Sequence, residues 1–495
     1  MLDSPLVLIV ALALLAFGLW SRWIEQRAVT APMLFVALGV ITGPLVFDWS
    51  APDVEADGLK TIAELTLALI LFTDASQINR AHLAQFERLP LRLLSIGLPL
   101  TMMLGAVVAL LAFGLWSHWI EQRAVTAPML FVALGVITGP LLFDWSAPNV
   151  EADGLKTIAE LTLALILFTD ASQINRAHLA QFERLPLRLL SIGLPLTMVL
   201  GAVVALLMFD IGWSTALLLA IILAPTDAAL AQTLFGEQRI PEALRHSITV
   251  ESGLNDGLAL PILLMTLAII SAGGLAGVDH LHWLGFFLQQ LLLGSVIGVV
   301  TGRLGGALIQ AASRAERMDP VFQRLSSLAL ALLTYTLAEH LGGNGFIAAF
   351  MAGLFLQSQQ TIVIDRLKEF GEAEGQLLSL IMFFLFGLIY VPEALQHADL
   401  MIVSYALLSL TLIRLLPVLI SLLGSGLSWR DRLFLGWFGP RGIASVLYLL
   451  LAIDTLGFAP ETAHYDVLFS TSVLTVLISV FIHGLSVPFW RQRFR

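Results

Sequence analysis

Apolar runs recur along almost the whole 495-residue chain, parted only by short clusters of charge, Gly and Pro. Runs of this kind can bury their side chains only if lipid is the solvent, because one helical crossing needs about 20 apolar residues to span a hydrocarbon core of about 30 Å. Composition agrees. Hydrophobic residues make up 58% of the chain and charged residues 13%, where an ordinary soluble domain carries about 25% charged. Hydrocarbon offers no water to backbone N–H and C=O groups, so the fold class expected is an all-α integral membrane protein. The crossings use nearly every residue and leave no room for a soluble catalytic domain. The formal net charge is −10, and the only lysines are Lys60, Lys156 and Lys368, which argues against nucleic acid as a partner. Cysteine is absent, so disulfides and thiolate chemistry are excluded. The first run follows Met1–Pro5, with Asp3 and no basic flank, and reads as a first membrane helix rather than a cleaved signal peptide.

Part of the chain is written twice. Ala13–Val108 recurs as Ala109–Val204 at a constant offset of 96 residues, with four differences: Arg22/His118, Val46/Leu142, Asp53/Asn149 and Met103/Val199. Near-identity of this kind marks a tandem duplication rather than a solenoid, whose units diverge in sequence. Removing one copy leaves about 399 residues, taken here as the working unit. The chain then divides into duplicated N-terminal helices at residues 1–108, a transmembrane domain at 109–490 and a short tail at 491–495. Sixteen candidate spans result, about 13 core helices plus about three duplicated ones. They include Leu6–Trp23, Pro128–Phe143, Leu155–Ile174, Ser214–Phe235, Leu377–Val391, Leu400–Leu423, Leu433–Ile453 and a short one, Phe346–Leu356. The positive-inside rule puts Arg123, Arg176, Arg184, Arg188, Arg239 and Arg245 in the cytoplasm and the acidic loop Asp144–Asp153 outside. Between the copies, one fused run at Leu91–Trp119 replaces two. Either copy one inserts inverted against its charges, or the fused run does not span.

Charges deep in such runs cost at least about 2.5–3.5 kcal/mol each and are functional candidates by default. The first group lies in AIILAPTDAALA, Ala220–Ala231. Pro225 removes an N–H and clashes with the preceding turn, which should break the helix in mid-membrane and leave Thr226 and Asp227 beside freed carbonyls and a half-helix N-terminus. The second is VESGLNDGLALP, Val250–Pro261. On a helix, Glu251, Ser252, Asn255 and Asp256 share an arc of about 140°, while Gly253 and Gly257 form a small-residue packing groove on the other side. An all-oxygen face suits a hard cation such as Na⁺ better than a transition metal.

The third group is cationic. Arg414, in TLIRLLPV, stands too deep to snorkel, and Glu251 is the carboxylate expected to pair with it. Arg441 follows Gly439-Pro440 in WFGPRGIAS, a second helix expected to be interrupted, where its charge could offset half-helix C-terminal dipoles. Both arginines read as architectural more than ligand-binding. Asp170 in LILFTDASQI, duplicated as Asp74, is either a helix-end carboxylate in the interface or a further ion ligand. Glu339, His340 and His483 fall near span ends and read as interfacial.

APTDAAL, ESGLNDG and a late Gly-Pro-Arg-Gly together resemble the monovalent cation:proton antiporter-1 family, most of all its bacterial NhaP-type Na⁺/H⁺ antiporters. The likeness covers about Val108–Trp490. It implies an inverted-repeat fold with two mid-membrane broken helices, usually a homodimer, in the cell (inner) membrane, with a role in pH homeostasis. By position, Asp256 would be the carboxylate that binds cation or proton, with Asn255 beside it, and Thr226, Asp227 and Ser252 would complete the site. Glu251–Arg414 would be the family's buried ion pair. Asp170 stands where many members carry Glu, one methylene longer. The 96-residue duplication departs from the family pattern.

Two buried carboxylates close together cannot both stay ionised without a cation between them. Na⁺, or Li⁺ or K⁺, would therefore compete with H⁺ for the same oxygens, and alternating access would carry whichever is bound. The Asn-Asp form resembles members that exchange one for one, electroneutrally. No G-x-x-x-x-G-K-[ST] loop occurs, so neither ATP nor any cofactor is expected beyond the transported ions. Two other readings are an intramembrane aspartyl hydrolase using Asp227 and Asp256, whose Gly-x-Gly-Asp and Tyr-Asp contexts are missing here, and a passive cation channel.

Overall fold

The computed structural model describes residues 5–25, 126–138, 152–174, 184–227, 240–272, 274, 280–356, 361–457 and 464–494. Among them the only regular structure is helical: α1 (Pro5–Glu25), α2 (Ala127–Thr138), α3 (Ala152–Gln173), α4 (Arg184–Met208), α5 (Trp213–Ile222), α6 (Glu242–Ser271), α7 (His280–Arg314), α8 (Pro320–His340) and α9 (Gly345–Phe355). The series continues with α10 (Thr361–Leu385, prolonged through Phe386–Tyr390 to Gln396), α11 (Leu400–Leu410), α12 (Leu412–Ser421), α13 (Trp429–Trp437), α14 (Ile443–Leu456) and α15 (Tyr465–Arg493). Seven helical stretches of these are long and apolar enough to cross a membrane, and four shorter apolar helices accompany them. The spans expected at Pro32–Phe47, Leu59–Ile78 and Leu91–Trp119, and Asp74 with them, lie outside the described residues.

The chain divides into two compact units, residues 1–22 with 105–495 and residues 23–104. Within the first, α1 packs on α8: the Phe17 and Phe322 rings meet edge to face at 4.9 Å, and Ser21 Oγ accepts from the Asp319 N–H at 3.0 Å.

Proline shapes the longer helices. A π-helical turn at Leu189–Gly193 in α4 stands just before Leu194-Pro195, and another at Phe386–Tyr390 in α10 just before Val391-Pro392. A proline ring collides with the carbonyl four residues back, and the wider π turn relieves that collision without ending the helix. The sequence pattern expected a span of Leu377–Val391 only. The helix begins at Thr361, because the charged stretch from Asp365 to Glu374 has low hydropathy yet forms no break. The run at 400–423, expected as one helix, divides at Thr411, whose backbone (φ −114°, ψ −95°) is not helical.

Short α9 sits at the centre of the packing. Gly294, Gly298 and Gly302 of α7 meet Asn344, Ala348 and Ala352 backbone to backbone, four residues apart on both helices. Small residues let helices approach closely where lipid offers no hydrophobic drive between them. Asn344 caps α9 through Oδ1 to the Ile347 N–H at 3.0 Å, and its Nδ2 donates to the Gly257 carbonyl of α6 at 3.2 Å. Glu339 Oε1 accepts from the Gly345 N–H at 2.6 Å. Gly253 and Gly257 rest on Phe350 and Ile347 of α9, and a Cβ at either position would overlap those side chains. One face of α6 is thereby braced, and the opposite face points at the helix breaks.

Candidate functional site

Two interrupted helices meet in front of α6. Helix α5 ends at Ile222, and Leu223–Asp227 continue without helical structure through Pro225. Between α13 and α14, Phe438–Gly442 form the second break around Gly439-Pro440. The breaks are bonded to each other. Asp227 N–H donates to the Pro440 carbonyl at 2.8 Å, and Asp227 Oδ2 accepts from the Ile443 N–H at 3.1 Å. Ile443 opens α14, so the carboxylate caps a helix N-terminus, where unsatisfied donors and the helix dipole favour negative charge.

Arg441 makes the reciprocal contact. Its Nη1 donates to the carbonyls of Ala224 at 2.6 Å and Pro225 at 3.0 Å, groups that the end of α5 leaves without helical partners. Each break supplies the charge that the other's half-helix needs. Neither could be satisfied by water in hydrocarbon.

Helix α6 closes the pocket. Thr226 Oγ1 lies 3.0 Å from Ser252 Oγ and accepts from Asn255 Nδ2 at 2.7 Å. Thr226, Ser252, Asn255 and Asp256 are all buried. The Tyr448 hydroxyl of α14 donates to the backbone carbonyl of Asp256. Asp256 Oδ1 and Asn255 Oδ1 are buried and meet no hydrogen-bond donor. Asp227 is half-buried and acts on Asp256 electrostatically. The Thr226 and Ser252 hydroxyls, the Asn255 amide and the Asp227 carboxylate thus gather around the two breaks, with the Asp256 carboxylate on the next residue of α6. Among the described residues no group of three His, Asp or Glu side chains gathers as a metal site.

One turn away, Glu251 Oε1 and Arg414 Nη1 are 2.6 Å apart, each residue 1% exposed. The Arg414 guanidinium lies against Gly439, where a Cβ would overlap it, so the ion pair also props the second break. Asp170 is half-buried in the last turn of α3. That helix packs on α6, α9 and α14, the elements that carry or brace the pocket.

Gly442 marks how close the two breaks come, since a Cβ there would fall on the Asp227 carboxylate. Gly442→Ala is expected to displace that carboxylate from the Ile443 N–H and to cost about 1.5–3 kcal/mol, the scale of one hydrogen bond to a charged group. Melting of the detergent-solubilised protein checks this, and an unchanged midpoint would mean that the carboxylate does not hold the two breaks together.

Sequence reasoning missed three contributors. Tyr448 looked like one more apolar-helix residue. Ser479 gave no sign. His483, read as interfacial, is 1% exposed and lies in the interior. The available signal was its position on α15, which runs on for ten more residues to Arg493, so His483 is not at a helix end.

Comparison with known proteins follows from this geometry. The family described as "Sodium/hydrogen exchanger, transmembrane" matches residues 106–492. A K(+)/H(+) antiporter NhaP2 of Shewanella sp. (strain ANA-3) is 26% identical over 391 residues, 78% of this chain and 65% of that protein. A K(+)/H(+) antiporter NhaP of Alkalimonas amylolytica is 27% identical over 370 residues, 73% of this chain and 62% of that one. The chain thus spans a little under two thirds of the length of these curated relatives. The structure of the sodium proton antiporter MjNhaP1 from Methanocaldococcus jannaschii superposes with a TM-score of 0.65 at 19% identity, covering 78% of this chain and 99% of that one. The fold is therefore that of MjNhaP1, an all-helical multi-pass membrane architecture.

Proposed function

The chain belongs to the sodium/hydrogen exchanger family, and from that premise we propose that it is a secondary antiporter exchanging a monovalent cation for protons. Asp256 and Asp227 are the carboxylates for which cation and proton compete. The observation that carries this reading is the cluster at the crossing: Thr226 bonded to Ser252 and Asn255, Asp227 spanning both breaks, and Asp256 with a buried oxygen that no protein donor reaches.

A cation entering the pocket meets both carboxylates, while a proton neutralises one of them in its stead. Since one pocket serves both, neither needs a separate path, and rocking of the surrounding helices delivers whichever is bound to the other side. Arg441 holds the α5 carbonyls and keeps the crossing intact when the pocket is empty, and Glu251–Arg414 performs the same structural duty one turn away. Asp170, on a helix that packs against α6 and α14, is a further ion ligand in this reading. The Asn255–Asp256 form supports one-for-one, electroneutral exchange, and the protein works as a homodimer in the inner membrane.

Relatives bearing K⁺ and Na⁺ in their names both match, so the cation is tested directly. In proteoliposomes with an acid interior, adding Na⁺, Li⁺ or K⁺ should dissipate the pH gradient, and the cation acting at lowest concentration is the substrate. Half-saturation should rise as pH falls, because H⁺ competes for the same oxygens. A channel would pass the cation without counter-movement of protons, and a hydrolase would leave the gradient untouched. Either result removes the proposal.

Residues 109–490 form the transporting unit in this reading, and residues 1–108 are an extra copy. Deleting Ala13–Val108 joins Leu12 to Ala109, and Ala109–Ser117 repeats Ala13–Ser21 letter for letter. The residues of α1 that pack on Phe322 are thereby restored in sequence. Transport by the shortened chain is expected to match that of the full chain, and its complete loss would make the duplicated helices part of the machine.

A further inference from the structure

We infer that His483 is a positioning residue for the ion site, holding the second helix break, and through it Asp227, by a relay of hydrogen bonds from α15. This rests on the reading of Asp227 as a cation ligand.

The relay starts at the break itself. Arg441 N–H donates to Ser479 Oγ at 2.7 Å. Ser479 Oγ lies 3.2 Å from His483 Nδ1, and His483 Nε2 lies 2.9 Å from the Trp437 carbonyl at the end of α13. A carbonyl can only accept, so the Trp437 contact is made by the tautomer with the ring proton on Nε2, in which Nδ1 accepts. The Ser479 hydroxyl, which already accepts from Arg441, has its own proton free for Nδ1. The Ser479 carbonyl is also 2.9 Å from Nδ1, and its second lone pair is open to a proton there, so the relay through the Ser479 hydroxyl belongs to the tautomer protonated at Nε2. One imidazole therefore bonds Trp437 before the break and, through Ser479, Arg441 within it.

A second rung parallels the first. Trp437 Nε1 donates to Ser486 Oγ at 2.9 Å, and Ser486 Oγ donates to the His483 carbonyl at 2.8 Å. Ser479, His483 and Ser486 lie on one face of α15, at helical spacings of four and three. Beyond Arg441 the chain of contacts reaches the ion site one residue before it and two residues after it: Pro440 receives the Asp227 N–H, and Ile443 donates to the Asp227 carboxylate. Only the edges of the broken backbone keep helical hydrogen bonds, from the Phe438 N–H to the Phe434 carbonyl and from the Val446 N–H to the Gly442 carbonyl. Its orientation is set from outside, and His483 is the interior side chain bonded to both of its flanks through this relay.

The test compares His483→Gln, His483→Phe and Ser479→Ala in the full chain. Glutamine can donate its amide to the Trp437 carbonyl and accept at its oxygen, phenylalanine fills the space with neither bond, and alanine removes only the relay hydroxyl. His483→Phe and Ser479→Ala should raise the half-saturating cation concentration about tenfold, the scale of a lost buried hydrogen bond, with maximal flux little changed. His483→Gln should stay close to the unmodified protein. Unchanged half-saturation in Ser479→Ala, or a glutamine variant as impaired as the phenylalanine one, overturns the inference. If His483→Phe fails to fold, Ser479→Ala carries the comparison. If the unmodified protein moves no cation, the antiport reading fails by itself, and hydrogen exchange at the Asp227 and Ile443 amides then decides the positioning role. Faster exchange in Ser479→Ala supports that role, and unchanged exchange removes it.

Discussion

Asp256→Asn is expected to abolish cation-driven proton flux in proteoliposomes while the protein still inserts and is recovered in normal amount. The substitution keeps the shape of the side chain and leaves the Tyr448 bond to the backbone carbonyl untouched, so packing against α14 should survive. What it removes is charge. An amide oxygen cannot take up the transported proton and attracts a cation far less than a carboxylate does. Asp227 alone is held in part by the N-terminus of α14 through Ile443, which leaves no second acid to share the exchange. Flux in Asp256→Asn with ordinary cation affinity would show that exchange takes place elsewhere in the chain.

The second large effect is on stability. Glu251→Leu should cost about 3–5 kcal/mol by leaving a buried guanidinium uncompensated. Arg414 is 1% exposed, its Nη1 is 2.6 Å from Glu251 Oε1, and its Nε and Nη2 are buried and meet no hydrogen-bond acceptor. Arg414→Leu should do comparable damage by stranding the carboxylate. The pair of substitutions together should recover most of the loss, since a buried ion pair replaced by apolar side chains of similar size is often neutral. Melting of the detergent-solubilised protein, read for both single variants and the double, checks the sign. Non-recovery in the double would mean that each residue has its own separate partners. The two predictions are independent, because Asp256→Asn acts on transport at constant fold and the Glu251–Arg414 cycle acts on the fold.

The fold class followed from hydropathy alone, because lipid forbids any arrangement that exposes backbone, and an apolar run of membrane length has few other options. Both helix breaks were legible for a similar reason. Pro225 and Gly439-Pro440 carry covalent constraints that act whatever surrounds them. The oxygen face of α6 was legible as well, since helical spacing fixes which side chains share a side. The copy-one spans after α1, and Asp74 with them, fall outside the described residues, so the duplication is visible as a sequence fact.

Other features were not fixed by the local sequence alone. The π turns depend on how a helix accommodates its proline against neighbours, and the division at Thr411 has no marker in TLIRLLPV. The extent of α10 was hidden because charged residues at its start lower hydropathy without breaking a helix.

The amino-acid order by itself determined the solvent, the helices, the two interruptions and the identity of the side chains available for a cation. Each of these follows from a residue's own chemistry or from spacing along one helix. Only the tertiary structure decided that Asp227 caps α14, that Arg441 covers the end of α5, and that Ser479 and His483 of α15 grip the second break. Those contacts join residues more than 200 apart for the first two and about 40 apart for the last. They exist because a broken helix in lipid must find partners for its freed N–H and C=O groups on whichever neighbour the packing brings within reach.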